Sequence, residues 1–149
     1  MEVLTKAYGN IEVDERQIIQ FPVGLFGFEQ FHKFVLLDAS QQPFYWLQSM
    51  DVQEIAFVLI DPFLFRPDYS IDIPDEELTE IGITKTDEIL VFSIVTIPEN
   101  QNLMTANLQG PIIINRTERI GRQFISGNTK WQVKHLILEE LSMAGGSTC

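Results

Sequence analysis

Ile89-Leu90-Val91-Phe92-Ser93-Ile94-Val95 is the longest apolar run in the chain, and a single serine breaks it. It is far short of the about 20 apolar residues that a membrane span requires, and no other stretch comes closer, so no span is expected. A short run without alternation reads as a strand that is apolar on both faces. Such a strand is either central in a sheet covered on two sides or one of several closing a barrel. Phe34-Val35-Leu36-Leu37 and Phe57-Val58-Leu59-Ile60 have the same character.

Outward from these runs the pattern stays strand-like. Further candidate strands are Ile18 to Phe21, Tyr45 to Gln48, Met104 to Leu108, Ile112 to Asn115 and Gln123 to Ser126, with the long run extended to Ile97 and Phe57 to Ile60 begun at Ala56. Near the start, Val3 to Tyr8 leads through Gly9-Asn10 into Ile11-Glu12-Val13-Asp14. A Gly-Asn pair between such runs predicts a hairpin turn at those two residues, because both tolerate positive φ. One helix is predicted near Pro74: proline suits a first helical position, Asp75, Glu76 and Glu77 suit the positive end of the helix dipole, and Gly82 can end it. The stretch from about Val133 to Leu141 reads as a second helix or as a strand. Many short strands separated by Gly, Pro and Asn turns predict a mainly β fold: a single antiparallel β-barrel or sandwich-like domain with one or two short helices. That domain is expected over residues 1–143, with residues 144–149 as a loose tail.

Length and composition agree. A chain of 149 residues with 45% hydrophobic side chains can bury a core as one domain. The first residues show no basic region feeding an apolar one, so no signal peptide is expected. The single cysteine, Cys149, leaves no internal disulfide to form, which suits a reducing compartment and a cytoplasmic location.

Charge narrows the function classes. Twenty-one acids against ten bases give a net charge of −11, which repels phosphate backbones and argues against direct nucleic-acid binding. Twelve of the acids but only two bases, Arg66 and Lys85, lie between Asp51 and Glu99. Half of all the bases, by contrast, fall in nineteen residues as Arg116, Arg119, Arg122, Lys130 and Lys134. The acidic segment reads either as a solvated face or as a docking surface for a basic partner, with Asp68, Asp72, Asp75, Glu76 and Glu77 as its candidate residues. The bases either pair with those acids or belong to a partner site.

Catalytic and metal-binding patterns are missing. His32 and His135 stand 103 positions apart, and neither joins an H-E-x-x-H or a cysteine pair, so no metal site is expected. Gly24-Leu25-Phe26-Gly27 lacks the lysine and following helix of a phosphate loop and reads as a structural turn. Asp75, Glu76 and Glu77 are consecutive, whereas calcium loops space their oxygens. No cofactor and no small-molecule substrate is expected, and the chain reads as a binding protein, not an enzyme.

Aromatic residues point to partners instead. Phe26 and Phe28 sit in a glycine-rich loop, and Phe63 and Phe65 in the proline-rich Asp61-Pro62-Phe63-Leu64-Phe65-Arg66-Pro67. Large apolar side chains on loops either fold back on the core or anchor another protein. Asn107 and Asn115 end apolar runs on either side of Gly110-Pro111. They satisfy turn backbone groups or reach an interface.

These residues also carry a family resemblance. Phe21-Pro22-Val23-Gly24-Leu25-Phe26-Gly27-Phe28-Glu29, Pro43 to Ser49, and Phe57 to Pro62 with Pro67-Asp68-Tyr69 come first. Ile94 to Pro98, Met104 to Leu108 and Gly110 to Asn115 then follow, and together they resemble the successive signatures of the FliW family from about Tyr8 to Leu138. Phe26 stands where that family often has proline, and Trp131 where it often has tyrosine. The resemblance implies a cytoplasmic flagellar assembly factor that binds flagellin and sequesters the translational repressor CsrA, relieving repression of flagellin translation. A flagellin-binding chaperone with no regulatory arm is the alternative.

Overall fold

The computed structural model describes residues 1–84 and 88–146. Its centre is a sheet that closes on itself. The strands are β1 (Glu2–Thr5), β2 (Gly9–Glu12), β3 (Ile18–Gln20), β4 (Lys33–Asp38), β5 (Tyr45–Ser49), β6 (Ala56–Ile60), β7 (Ile89–Thr96), β8 (Thr105–Ala106), β9 (Ile112–Asn115), β10 (Ile120–Gln123) and β11 (His135–Leu136). Going round, β7, β6, β5, β4, β3, β10 and β9 are neighbours, and β9 pairs back onto β7, so seven strands form a closed barrel. Every pairing in it is antiparallel except the seam, where β10 meets β3 in parallel at Ile120 and Gln20. The expected choice between barrel and sandwich resolves to the barrel, which removes most sheet edges.

The two-sided apolar runs now have a physical cause. Alternate residues point inward: Phe34 from β4, Leu47 from β5, Leu59 from β6, Phe92 from β7, and Ile112 and Ile114 from β9 fill the barrel with Phe21 and Leu25. Their neighbours point outward and are covered by three separate layers. The β1–β2 hairpin covers Val35 and Leu37 with Val3 and Val13. The segment containing the four-residue helix α1 (Asp75–Leu78) lays Ile73, Leu78 and Ile81 on Ile113. On a third side, Phe65, Tyr69, Leu108, Trp131 and Ile137 cover Ile60 and Val95. Each such side chain, fully buried, stabilises the fold by roughly 1.5–3 kcal/mol, so the outer layers are as integral as the barrel core.

Four local expectations need correction. The hairpin exists, but its turn is Lys6-Ala7-Tyr8, and Gly9 already pairs with Thr5. The Thr5 hydroxyl accepts the Tyr8 N–H at 2.9 Å and donates to the Gly9 carbonyl at 2.8 Å, while Gly9 takes φ +69°. The strand expected at Gln123 to Ser126 begins earlier, as β10, because a tight turn over residues 116–119 reverses the chain directly after β9. The strand expected from Met104 to Leu108 shrinks to β8, since the Leu108 N–H leaves the sheet for the Gln132 carbonyl at 3.0 Å. The ambiguous C-terminal stretch is both things in turn: β11, then α2 (Ile137–Gly146). That helix takes in 144–146 of the expected tail, and 147–149 lie outside the described residues.

α1 starts as predicted with Asp75, Glu76 and Glu77 in its first turn, though Pro74 is its N-cap and not its first helical residue. It tightens into a 3₁₀ turn, Thr79–Ile81, and ends at Gly82 with φ +76°, the left-handed geometry that glycine adopts without a Cβ clash.

Candidate partner-binding surface

The five acidic candidates separate into two kinds. Asp75 and Glu76 are exposed on α1 and Glu77 is half-buried, and none of the three side chains is bonded among the described residues. Asp72 sits at a strained φ of +49°, where its carboxylate accepts from the Ser70 hydroxyl at 2.8 Å and from Asn128 Nδ2 at 3.1 Å. These bonds hold its carboxyl below the usual range, Ser70 contributing most. Asp68 is bound more firmly. It takes two parallel bonds from Arg66, both at 2.9 Å, and one from Lys130 Nζ at 2.8 Å. The Arg66 guanidinium, then the Lys130 ammonium, hold its carboxyl far below the carboxylate range.

Around Asp68 lies a clasp that sequence reasoning did not find. Arg66 also donates to Glu140 on α2 at 2.7 Å, and Glu140 faces His135 Nδ1 at 3.1 Å. The Arg66 and Lys130 cations both stand over the Trp131 ring, 4.8 and 4.9 Å from its centroid. Trp131 in turn meets Tyr69 edge-on at 4.8 Å, and the Tyr69 hydroxyl donates to the Leu108 carbonyl at 2.8 Å. Burial raises the Tyr69 pKa beyond the ordinary tyrosine range. Lys130 with Asp68, and Arg122 with Glu80, follow the reading in which the late bases pair with the central acids, while Arg119 donates to the Glu15 carbonyl instead.

Of the four aromatic candidates, two remain at the surface. Phe26 is 52% exposed at the tip of a turn between Gly24 and Gly27, both at positive φ. The turn is held from below by Gln123, whose Oε1 accepts the Phe26 N–H at 3.1 Å and whose Nε2 donates to the Gly110 carbonyl at 3.0 Å. Phe63 is 42% exposed on the 3₁₀ turn Pro62–Leu64. Phe28 folds back and packs edge-on against Phe57 at 5.1 Å. Phe65 takes the core alternative and is no accessible anchor: it is 1% exposed, because the Pro62–Leu64 turn swings it under the chain into the layer over Ile60.

Both asparagines serve turns. Asn107 Oδ1 accepts the Gly110 N–H at 2.9 Å. Asn115 is 1% exposed; its Nδ2 donates to the Ile81 carbonyl at 2.9 Å, and its Oδ1 accepts from Thr117 and Glu118 N–H groups at 3.1 and 3.0 Å. An interface role for Asn115 is therefore corrected, since its carboxamide is consumed inside the fold.

What remains accessible is the exposed Asp75 and Glu76 carboxylates of α1, unbonded among the described residues, exposed Phe26 and Phe63, and an open groove beside Phe63. Among the described residues no group of three or more His, Cys, Asp or Glu side chains could hold a metal, and no helix is long and apolar enough to cross a membrane. The sequence profile described as FliW protein matches residues 2–137. The chain belongs to the FliW family of flagellar assembly factors. It is 50% identical to the flagellar assembly factor FliW of Treponema denticola over 145 residues, covering 97% of this chain and 99% of that one. It is 44% identical to the FliW of Caldanaerobacter subterraneus over 146 residues, covering 97% of each. A crystal structure of the flagellar assembly factor FliW superposes with a TM-score of 0.86 at 39% identity, over 92% of this chain and 96% of that one. Trp131 is a core residue under the clasp, whereas Phe26 is exposed.

Proposed function

We propose that the protein works in the cytoplasm by holding two other proteins in turn, flagellin and the translational repressor CsrA, with no chemistry of its own. When flagellin is scarce the protein sequesters CsrA and flagellin translation proceeds; when flagellin accumulates it occupies the protein and releases CsrA to the message. The observation that supports this reading best is the division of the acids. Asp68 and Asp72 are committed to internal bonds, whereas the side chains of Asp75, Glu76 and Glu77 make no bond among the described residues, and Asp75 and Glu76 are exposed. An RNA-binding repressor must carry basic surface, and opposite charge speeds its encounter with such a face. The net charge of −11 argues that the protein meets the repressor and not the RNA.

Titration calorimetry of the purified protein against purified CsrA and purified flagellin, singly and in competition, tests the reading. Binding to both, with flagellin lowering the apparent affinity for CsrA, is expected. Binding to flagellin alone would leave the flagellin chaperone without a regulatory arm, and binding to neither would remove both.

A further inference from the structure

β7 has eight residues, and its two sides are unequally covered. On one side β9 pairs with residues Ile89 to Phe92, and β8 with Val95 and Thr96. On the other, β6 pairs only with Ser93, Ile94 and Val95. β6 ends at Ile60 because Asp61 and Pro62 follow. Proline has no N–H for a ladder, and the chain turns away, with Asp61 Oδ1 accepting the Phe63 N–H at 2.9 Å.

The ladder fixes which groups are left open. The Glu88 carbonyl accepts the Arg116 N–H at 2.9 Å, and the Ile94 carbonyl accepts the Asn107 N–H at 3.0 Å. Residues of that parity therefore face β9 and β8, and Ile89 and Val91 turn their N–H and C=O groups toward the side that β6 has left. Among the described residues no strand pairs with Val91 there. That edge lines a groove of about 540 Å³ walled by Tyr45, Phe63 and Ile71, with Asp61 at the rim. An adjoining groove shares Ile71 and Ile89 and adds Asp72 and Asp75. No lysine or arginine among the described residues lines either one.

We propose that Ile89 to Phe92 of β7 is a strand-addition site for an extended segment of a partner protein, one with apolar side chains at alternate positions and lysine or arginine between them. The open backbone groups supply register, the walls take every second side chain, and the carboxylate rim takes the basic ones. A helix cannot use a strand edge, because its own backbone groups are already paired. A second copy of this chain would bring its own net charge of −11 to the same acidic rim. The inference needs only the edge, the groove and the rim, and does not depend on which cellular protein supplies the segment.

The probe is a blocked synthetic peptide of alternating valine and lysine, about eight residues long to span one strand, followed by amide NMR on the full chain. In the free protein the Val91 amide should exchange with solvent at least roughly tenfold faster than those of Leu90 and Phe92, which β9 protects. The peptide should shift and protect Val91, and the same peptide with glutamate for lysine should not. Methylating the backbone nitrogens of either the valines or the lysines gives two further peptides. Whichever set faces the edge should lose roughly tenfold or more in affinity through the missing bonds, and the other should not. Phe63→Ser, on an exposed turn, should weaken the unmodified peptide while leaving the fold's spectrum intact. A Val91 amide as protected as its neighbours, no peptide binding at millimolar concentration, or equal binding by both methylated peptides would overturn the proposal.

Discussion

At the scale of single residues, Asn115 shows how much one buried carboxamide can organise. It ties the end of β9 to the Ile81 carbonyl and shapes the turn over Thr117 and Glu118. Asn115→Ala leaves a buried carbonyl and two turn N–H groups without partners, a loss of about 2–3 kcal/mol. The melting temperature should fall, while the folded fraction binds partners as before; lost binding at an unchanged melting temperature would contradict the structural role. Gly121 offers a test of packing inside the barrel. A Cβ there would stand 2.6 Å from the Phe21 ring, so Gly121→Ala should cost about 1–3 kcal/mol by overpacking. Denaturant unfolding measures it, and a neutral result would show that the ring can yield. The sequence offered turn roles for the asparagines, since Asn satisfies turn backbone groups well, but left an interface role open beside them. For Phe65 it likewise left core and partner open, because the inward swing depends on a turn whose direction only the packed barrel decides.

At the scale of elements, the clasp joins the loop after β6 to the loop before β11 and to α2. Its charges sit 62 and 74 positions apart in sequence, beyond the reach of any local pattern, which is why reading the chain offered pairing between late bases and central acids without saying which joins which. The runs that became β4, β6, β7 and β9 were legible for the opposite reason: their apolar character is local and dictates strand whatever the partner. β10 was misplaced because its start is set by the Asn115-capped turn and not by its own hydrophobicity. The clasp gives a pH expectation. Asp68 has a lowered pKa in the folded protein, so its contribution is complete above the carboxylate's ordinary range and fades as pH falls through that range toward the lowered value. Wild type should exceed Asp68→Asn in melting temperature by a constant margin between about pH 7 and pH 5, shrinking below about pH 4. With Asp68 half-exposed, the margin should correspond to no more than about 1 kcal/mol. A margin that instead grew on acidification would reverse the sign and refute the assignment.

At the scale of the whole molecule, internal pairing and free charge are kept apart. The Arg66, Arg122 and Lys130 cations are spent on Asp68, Glu80 and Glu140, while the grooves beside β7 and α1 are lined by Asp61, Asp72 and Asp75 and, among the described residues, by no lysine or arginine. The barrel makes this possible because its outer layers carry the acidic segment on a closed, rigid support. The central claim is that this face steers CsrA, and rim charges act mainly on association rate. Stopped-flow association of CsrA with the wild-type protein and with the triple reversal of Asp75, Glu76 and Glu77 to lysine, at two salt concentrations, tests it most directly. Lysines at the start of α1 oppose the helix dipole, so the melting temperature of the variant is checked alongside. The account predicts association slowed by about tenfold at low salt, a flattened salt dependence, a smaller change in dissociation, and flagellin binding largely retained. CsrA association unchanged by the triple reversal would contradict it.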